Sequence, residues 1–236
     1  MNANRAAEHL FDSTPDLQHA VAIAAAEVIR QAVHDRGIAN VSLSGGSTPR
    51  RIYELLGNEE LPWEQTHWFW GDERNVTNES DQSNEKMVRE TLFRNHQVPD
   101  KNIHPVTVNV AQPTDGADQY ETILREHFKD ESVPAWDLVL LGLGDDAHTA
   151  SLFPGTEALS EKQRWFVQNW VEKLDTFRYT LTAPAINSGR NIWFLVAGES
   201  KRQALGKVWS QDKNVDLYPS QLIEPSVWFL TRDAKP

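Results

Sequence analysis

Cysteine is missing from all 236 residues of the chain. This absence excludes disulfide-stabilised scaffolds, iron–sulfur clusters, zinc sites built on thiolates and cysteine nucleophiles. Long apolar runs are missing too: one of the longest spans only residues 138–141, whereas a membrane-spanning helix needs about 20 apolar residues. Residues 1–11 contain an acidic residue and lack the apolar core of a secretory signal, which predicts a cytoplasmic protein.

Basic residues are few relative to acidic ones: 23 Lys and Arg stand against 34 Asp and Glu, a formal net charge of −11. Nucleic acids and anionic membranes need a broad basic face, so neither is an expected partner. A small anionic substrate is still compatible with this charge, because a few cations in a cleft set the local potential. With 39% apolar and 24% charged residues, the chain is typical of a soluble globular protein. We expect a monomer with one domain over residues 1–236.

Helical and strand-like segments alternate along the chain. Apolar residues recur at helical spacing over residues 15–36, with Ser13 and Thr14 as caps and Gly37 as the stop. Strands are predicted at residues 38–43, 67–70, 103–106, 136–141, 164–171, 178–181, 192–196 and 227–230. This alternation predicts an α/β fold, a mostly parallel sheet with helices on both faces. Ligands of such sheets collect at the carboxyl ends of the strands, which directs the search to the loops after Leu43, Trp70, Leu141 and Val196.

The loop after Leu43 has the composition of a phosphate-binding turn. Gly45 and Gly46 let the backbone approach a ligand, and Ser47 and Thr48 add hydroxyl donors at the start of a helix. A Walker motif is excluded because no Gly-Lys-Ser/Thr follows. The alternative is a tight strand-to-helix turn with a Ser/Thr cap.

Three charged residues follow the strand that ends at Trp70. Arg74 is suited to bidentate binding of a phosphate or carboxylate, with Asp72 or Glu73 to fix its orientation. A solvated, salt-bridged turn is the alternative. Lys201 follows the predicted strand 192–196. It is either a residue that binds an anion or an ordinary surface lysine.

The loop after Leu141 is rich in glycine and contains an acid–histidine pair. Asp146 precedes His148 by two residues, and a carboxylate that orients an imidazole makes it an effective general base. A purely structural histidine is the alternative. The G-x-G-x-x-A match at residues 142–147 does not indicate dinucleotide binding, because Pro154 would cut the following helix short and no acid follows at the spacing a ribose needs.

Metal and serine-hydrolase chemistry have no support in the spacing of residues. None of the eight histidines forms an HxH or HxxxH pair that would place two imidazoles on one ion. The chain also lacks the G-x-S-x-G elbow of a serine hydrolase. We therefore expect no required transition metal.

Seven short segments, in order, resemble a known family. They are residues 44–49 (SGGSTP), 72–74 (DER), 81–84 (DQSN), 146–154 (DAHTASLFP), 178–182 (RYTLT), 198–201 (GESK) and 218–223 (YPSQLI). Together they resemble the 6-phosphogluconolactonases, from about residue 41 to the C-terminus. Each segment alone is modestly specific, whereas the ordered set is very specific.

The resemblance implies a Rossmann-like α/β fold shared with glucosamine-6-phosphate deaminases and ribose-5-phosphate isomerases. It implies hydrolysis of 6-phospho-D-glucono-1,5-lactone to 6-phosphogluconate in the oxidative pentose phosphate pathway, with no metal and no organic cofactor. It assigns His148 as the general base, with Asp146 as its neighbour. The residues assigned to substrate and phosphate binding are Gly45, Gly46, Ser47, Thr48, Asp72, Arg74, Arg178 and Lys201.

Two positions depart from the family pattern. Ala147 stands where the family usually has glycine between the Asp and the His, and a left-handed backbone there would cost alanine about 1 kcal/mol. Residues 175–177 replace prolines that often precede the segment 178–182. Neither change removes a functional group, so both concern local geometry.

Two other functions compete with the lactonase. A sugar-phosphate isomerase or deaminase on the same fold would use similar loops, but the deaminases supply a further acid after the histidine, where this chain has residues 149–154 without a carboxylate. A non-catalytic sugar-phosphate-binding protein is the second alternative, and Ala147 is the residue that favours it.

Overall fold

Ten strands form two sheets in the computed structural model of the protein, which describes residues 6–129 and 131–236. In chain order the strands are β1 Ala7–Phe11, β2 Ala39–Leu43, β3 Thr66–Trp70, β4 Asp72–Arg74, β5 Ile103–His104, β6 Leu138–Gly142, β7 Phe166–Val171, β8 Thr176–Leu181, β9 Ile192–Val196 and β10 Val227–Thr231. Seven of them make a parallel sheet in the order β1-β10-β9-β6-β2-β3-β5. The predicted Rossmann-like α/β fold is confirmed.

Six α-helices accompany the strands in the part of the chain that the structure describes. They are α1 Thr14–Arg36, α2 Ser47–Leu56, α3 Asn84–Thr91, α4 Pro113–His127, α5 Ala183–Asn187 and α6 Arg202–Val208. Helix α1 has the ends that its sequence predicts: Ser13 Oγ accepts from Asp16 N, and Gly37 ends the helix with φ 76°. Among the described residues, no helix is long and apolar enough to cross a membrane.

Helices cover both faces of the parallel sheet. On β3, alternate side chains point to opposite faces, so Trp68 and Phe69 contact different layers. The Trp68 ring packs edge-on against Phe93, which follows α3, while the Phe69 ring packs edge-on against His127 of α4. The strands β2, β6 and β9 are buried almost throughout, as expected for central strands between two layers.

The second sheet is antiparallel and has the order β4-β8-β7. The sequence predicted strands at 164–171 and 178–181 and a mostly parallel sheet overall; the main sheet is parallel, and these two strands lie in the smaller antiparallel one. The two segments are joined by a tight connection through Asp175, which has φ 49°, so they pair with each other as a hairpin. The short strand β4, expected as a loop, pairs with β8 and carries Asp72 and Arg74 into this sheet.

Strand β1 was not predicted. Its residues 7–11 pair in parallel with β10 at the edge of the main sheet, and its mixed polarity gives no alternating apolar signal. This segment adds a strand to the fold and lies at the far edge from β2 and β3.

The order of the strands fixes where a ligand can bind. From β2 the chain moves outward to β3 and β5, whereas from β6 it moves the other way to β9 and β10. The loops that follow β2 and β6 therefore diverge and leave a crevice at the carboxyl ends of these neighbouring strands.

Candidate active site

A cavity of about 430 Å³ opens at this crevice. Its lining includes eight residues that the sequence predicted for the site: Gly45, Gly46, Asp72, Arg74, Asp146, His148, Arg178 and Lys201. Ser47 and Thr48 begin α2 directly behind Gly46 and are not among the lining residues in the described part of the chain. They contribute to the site through the helix start rather than through their hydroxyls.

His148 is held by a carboxylate that is itself held by a lysine. Nδ1 of His148 lies 2.5 Å from Oδ1 of Asp146, and the other carboxylate oxygen, Oδ2, accepts from Lys173 Nζ at 2.8 Å. The hydrogen bond from His148 is the main reason that the pKa of Asp146 lies well below its usual range, and Lys173 lowers it further. Asp146 is therefore ionised near neutral pH and faces the His148 ring as a hydrogen-bond acceptor.

The His148 ring is also fixed by packing. It stacks on Phe153 with ring centroids 4.0 Å apart. Gly144 also makes room for the ring, since a Cβ at this position would overlap the imidazole. With Nδ1 engaged by Asp146, Nε2 is the ring nitrogen left for a proton transfer.

Ala147 adopts the left-handed conformation that glycine favours, with φ 63°. Its carbonyl accepts two hydrogen bonds from Ser220, one from the backbone N–H at 3.0 Å and one from Oγ at 2.7 Å. The strained turn between Asp146 and His148 is thus fixed by a segment near the C-terminus of the chain.

Two arginines enter the cavity from neighbouring strands. Arg74 on β4 and Arg178 on β8 are in register across the antiparallel pair. Burial lowers the pKa of Arg178 from its ordinary value, and the charge of Arg74 adds to this effect. Arg74 Nη1 donates to the backbone carbonyl of Gln82 at 2.6 Å.

The acids beside Arg74 do not orient it, which corrects the expectation for Asp72 and Glu73. Glu73 instead accepts hydrogen bonds at the start of α3, from the backbone N–H groups of Asn84 and Glu85, each at 2.8 Å. Its side chain is buried, and burial raises its pKa to about 7. Asp72 accepts from Ser151 Oγ at 2.9 Å, so both acids support the walls of the site.

Lys201 lies in a short 3-10 turn, Glu199–Lys201, just before α6. Its Nζ is 2.5 Å from Oδ1 of Asp145, in the loop that also carries Asp146. The Lys201 side chain is largely covered while Asp145 is mostly exposed. A ligand phosphate would meet Lys201 already engaged by a carboxylate.

Several lining residues were not predicted. Ser44 is the clearest: its Oγ is buried, lies at the cavity, and has no hydrogen-bond partner among the described residues. It begins the segment 44–49, and a buried unpaired hydroxyl beside a cavity is a sign of ligand contact. Lys173, in contrast, comes from the β7–β8 hairpin and had no signal in the sequence.

The fold and this cavity define a class of protein, a Rossmann-like α/β protein with a glycine-containing loop before a helix and an Asp–His pair at the carboxyl edge of its sheet. Residues 12–230 match the family described as "Glucosamine-6-phosphate isomerases/6-phosphogluconolactonase". The chain belongs to this family of enzymes.

Individual relatives agree with this assignment. A protein named 6-phosphogluconolactonase from Synechocystis sp. is 42% identical over 211 residues, 87% of each chain. A structure of 6-phosphogluconolactonase from Trypanosoma cruzi has a TM-score of 0.87 and 27% identity, and the match covers 98% of this chain and 96% of that one. A monomeric glucosamine-6-phosphate deaminase shares the fold alone, at 19% identity and a TM-score of 0.78 over 97% of this chain and 98% of that one.

Proposed function

We propose that the protein hydrolyses 6-phospho-D-glucono-1,5-lactone to 6-phospho-D-gluconate, the second step of the oxidative pentose phosphate pathway. The observation that carries this proposal is the meeting of an Asp146–His148 pair with Arg74, Arg178 and Lys201 around one cavity. This combination offers a base for the lactone and cations for the phosphate.

The phosphate is bound at one end of the cavity by cations and by the loop before α2. Gly45 and Gly46 bring the backbone close, and the free N–H groups at the start of α2 favour an anion. Arg74 and Arg178 supply guanidinium groups that match phosphate oxygens. Lys201 completes the clamp, with Ser44 Oγ as a neutral donor beside it.

His148 acts on the water at the other end of the cavity. Nε2 takes a proton from water as the water oxygen bonds to the lactone carbonyl carbon, and the carbonyl oxygen becomes an oxyanion. Backbone N–H groups or Arg74 stabilise that oxyanion. The protonated imidazole then returns the proton to the ring oxygen as the C–O bond breaks, which opens the lactone to the acid.

Asp146 and Lys173 position the base in this scheme. Ionised Asp146 stabilises the imidazolium while it exists, and Lys173 holds the second carboxylate oxygen so that the first one faces Nδ1. A general base of this kind contributes roughly 10²–10⁴-fold to a rate.

The competing isomerase or deaminase lacks an observation in its favour. The residues that follow His148 in the cavity are Thr149, Ala150 and Ser151, none of which is an acid. The only observation that favours a non-catalytic binding protein is the strained backbone at Ala147. That hypothesis predicts binding of a sugar phosphate without turnover.

The test uses lactone generated in situ by a glucose-6-phosphate dehydrogenase. Its decay at neutral pH is followed with and without the protein, and the lactone without phosphate serves as the substrate control. We expect faster decay of the phosphorylated lactone only. Decay at the spontaneous rate, despite protection from heat unfolding by 6-phosphogluconate, would establish a binding protein instead.

The role of His148 is tested by His148→Ala beside His34→Gln, an exposed histidine on α1. His148→Ala is expected to lower kcat roughly 10²–10⁴-fold and to retain protection by 6-phosphogluconate, since the clamp remains. His34→Gln is expected to behave as the wild type. An unchanged kcat in His148→Ala would remove this residue from the mechanism.

A further inference from the structure

Three histidines outside the active site come together from separate elements. They are His67 on β3, His104 on β5 and His127 at the end of α4. A ring nitrogen of each lies within 4.8 Å of the others. The sequence missed this cluster because spacing rules examine pairs on one strand or helix, while these residues are separated by more than 20 positions.

Two of the ring nitrogens form a hydrogen bond whose length is close to the separation of metal ligands. Nδ1 of His67 is 2.9 Å from Nε2 of His104. Two nitrogens that each lie 2.0–2.1 Å from a tetrahedral zinc ion are about 3.3 Å apart. A small movement of either ring therefore converts the pair into two corners of a tetrahedral site.

The third histidine is oriented by an amide. Nε2 of His127 lies 2.8 Å from Oδ1 of Asn40, whose Nδ2 donates to the carbonyl of Ala135. Since Oδ1 only accepts, Nε2 of His127 carries the proton and Nδ1 keeps its lone pair. Metal-bound histidines usually donate their other ring N–H to an oxygen in this way.

The surroundings hold the rings in place and leave them partly exposed. His104 stacks on Phe69 with centroids 4.2 Å apart, and the Phe69 ring packs edge-on against His127. All three histidines are partly exposed, and His127 and Asn40 line a surface cavity of about 290 Å³.

Charges of both signs lie near the cluster. Lys101 is exposed and close enough to lower the pKa of His67, which opposes a second cation. The cavity beside His127 contains Glu131 and Asp137 as well as Arg36 and Arg190. Asp137 is already paired with Arg36 at 2.6 Å and with Arg190 at 3.6 Å, so the charges in this cavity largely cancel. Solvent screens the charge of Lys101.

The cluster lies away from the catalytic cavity. His67 precedes the end of β3 at Trp70 by three residues, or roughly 10 Å of extended chain, and the catalytic loops begin beyond that end. None of the three histidines lines the catalytic cavity. A ligand bound here would meet β3, the edge strand β5 and the end of α4.

We propose that His67, His104 and His127 form a binding site for a divalent transition-metal ion such as Zn²⁺. Three imidazoles with one position left for water is a common zinc arrangement, and imidazole suits Zn²⁺, Cu²⁺ and Ni²⁺. The ion would tie the end of α4 to strand β3 and to the two-residue edge strand β5. The site is separate from the proposed hydrolysis and needs no part of it.

The test follows Co²⁺ binding to metal-free protein by visible absorption, with Zn²⁺ as competitor. We expect one equivalent of Co²⁺ to bind with the spectrum of a nitrogen-ligated ion and to be displaced by Zn²⁺. His104→Phe, which keeps an aromatic ring on Phe69, and His127→Gln are each expected to weaken binding at least tenfold. Asn40→Ala, which removes the hydrogen bond to His127, is expected to weaken it about 10–100-fold.

Two controls keep binding elsewhere from being mistaken for this site. His148→Gln removes the active-site imidazole, and His34→Gln removes an exposed one; both are expected to bind Co²⁺ as the wild type does. Thermal melting without metal shows which variants fold, and only folded variants are titrated with Co²⁺. If His104→Phe does not fold, the test relies on His127→Gln, whose substitution lies at a helix end. No binding to the wild type, or binding lost only in His148→Gln, would overturn the proposal.

Discussion

Arg74 and Arg178 face each other directly across the antiparallel strands β4 and β8. Like charges at such positions repel, which costs roughly 0.2–1 kcal/mol. The cost is reasonable if a phosphate binds between or beside the two guanidinium groups, because the anion then offsets the repulsion. The pair is thus better explained by ligand binding than by stability.

This relationship predicts opposite effects of Arg178→Met on stability and on substrate binding. Thermal stability is expected to stay level or rise slightly, since the repulsion disappears. KM for the phosphorylated lactone is expected to rise roughly 10- to 100-fold, the loss of one hydrogen-bonded contact to a charged group. Melting curves and initial rates on the same samples provide the two measurements.

The matched control is Arg51→Gln, because Arg51 is an exposed arginine paired with Glu54 on α2, away from the cavity lining. Neither its KM nor its melting temperature should change appreciably. If Arg178→Met kept the wild-type KM, the second arginine would have no role in the phosphate clamp.

Ala147→Gly is expected to stabilise the protein. The residue has φ 63°, where alanine is disfavoured by about 1 kcal/mol and glycine is not. For a chain of this size a gain of about 1 kcal/mol raises Tm by roughly 2–4 °C. A small effect on kcat is expected as well, since the hydrogen bond from Ser220 Oγ to the Ala147 carbonyl and the one from His148 Nδ1 to Asp146 continue to fix the turn.

Ala20→Gly provides the opposite case for comparison. Ala20 lies inside α1, where glycine is destabilising by about 0.5–1 kcal/mol. Calorimetry of both variants should show shifts of opposite sign. A loss of stability in Ala147→Gly comparable to that in Ala20→Gly would mean that the backbone at Ala147 is not strained.

Most of the residues that line the candidate cavity could be predicted from the sequence, because the rule depends on strand ends alone. The segments that follow β2, β3, β6 and β9 carry Gly45, Arg74, His148 and Lys201, and parallel strands bring such segments to one edge whatever their order. The pattern of apolar residues was sufficient to find those strands. Order within the sheet was not needed.

Other features depend on packing that no local pattern encodes. Lys173 reaches Asp146 only because β7 and β8 form a separate hairpin beside the cavity, and their apolar residues also suit a parallel strand. The sequence predicted Glu73 as a partner that orients Arg74, but its carboxylate accepts hydrogen bonds from N–H groups at the start of α3. The proximity of the three histidines depends on the register of β3 and β5 and on where α4 ends, and neither can be predicted from a local pattern.

Glu73 makes stability depend on pH. Its pKa is raised to about 7 in the folded protein, from 4.5 for an ordinary glutamate, and burial is the main cause. Between these values the folded state binds more protons than the unfolded state, so stability falls as pH rises. The full loss, reached above the folded pKa, is about 3 kcal/mol.

Glu73→Gln removes this titration and should flatten the curve. Urea unfolding at about pH 5 and about pH 8 measures the slope for the wild type and the variant. Glutamine also disturbs the hydrogen bonds to α3, but that effect is a constant offset and leaves the slope interpretable. The control is Glu90→Gln, a substitution of an exposed glutamate on α3, and it should keep the wild-type dependence of stability on pH. Equal slopes for Glu73→Gln and the wild type would contradict a raised pKa.

Asp145 pairs with Lys201, so in the proposed phosphate clamp it would compete with the substrate for this lysine. Since the Lys201–Asp145 pair is partly exposed, breaking it costs roughly 0.2–1 kcal/mol. Asp145→Asn leaves the lysine free for a phosphate, and KM for the phosphorylated lactone is expected to fall by a factor of about 1.5 to 5 with kcat unchanged. Added salt should narrow the difference between the variant and the wild type, because salt already weakens an exposed pair.

A double variant shows whether this effect passes through Lys201. Lys201→Met alone is expected to raise KM. Adding Asp145→Asn to this variant should lower KM only slightly, because the remaining effect is the removal of one negative charge from the cavity. Asp12→Asn, which breaks a similar exposed pair with Arg232 outside the cavity lining, serves as the control and should leave KM unchanged. If Asp145→Asn raised KM instead, the prediction would be wrong. Asp145 would then bind the sugar directly, and the Lys201–Asp145 pair would persist in the complex with substrate.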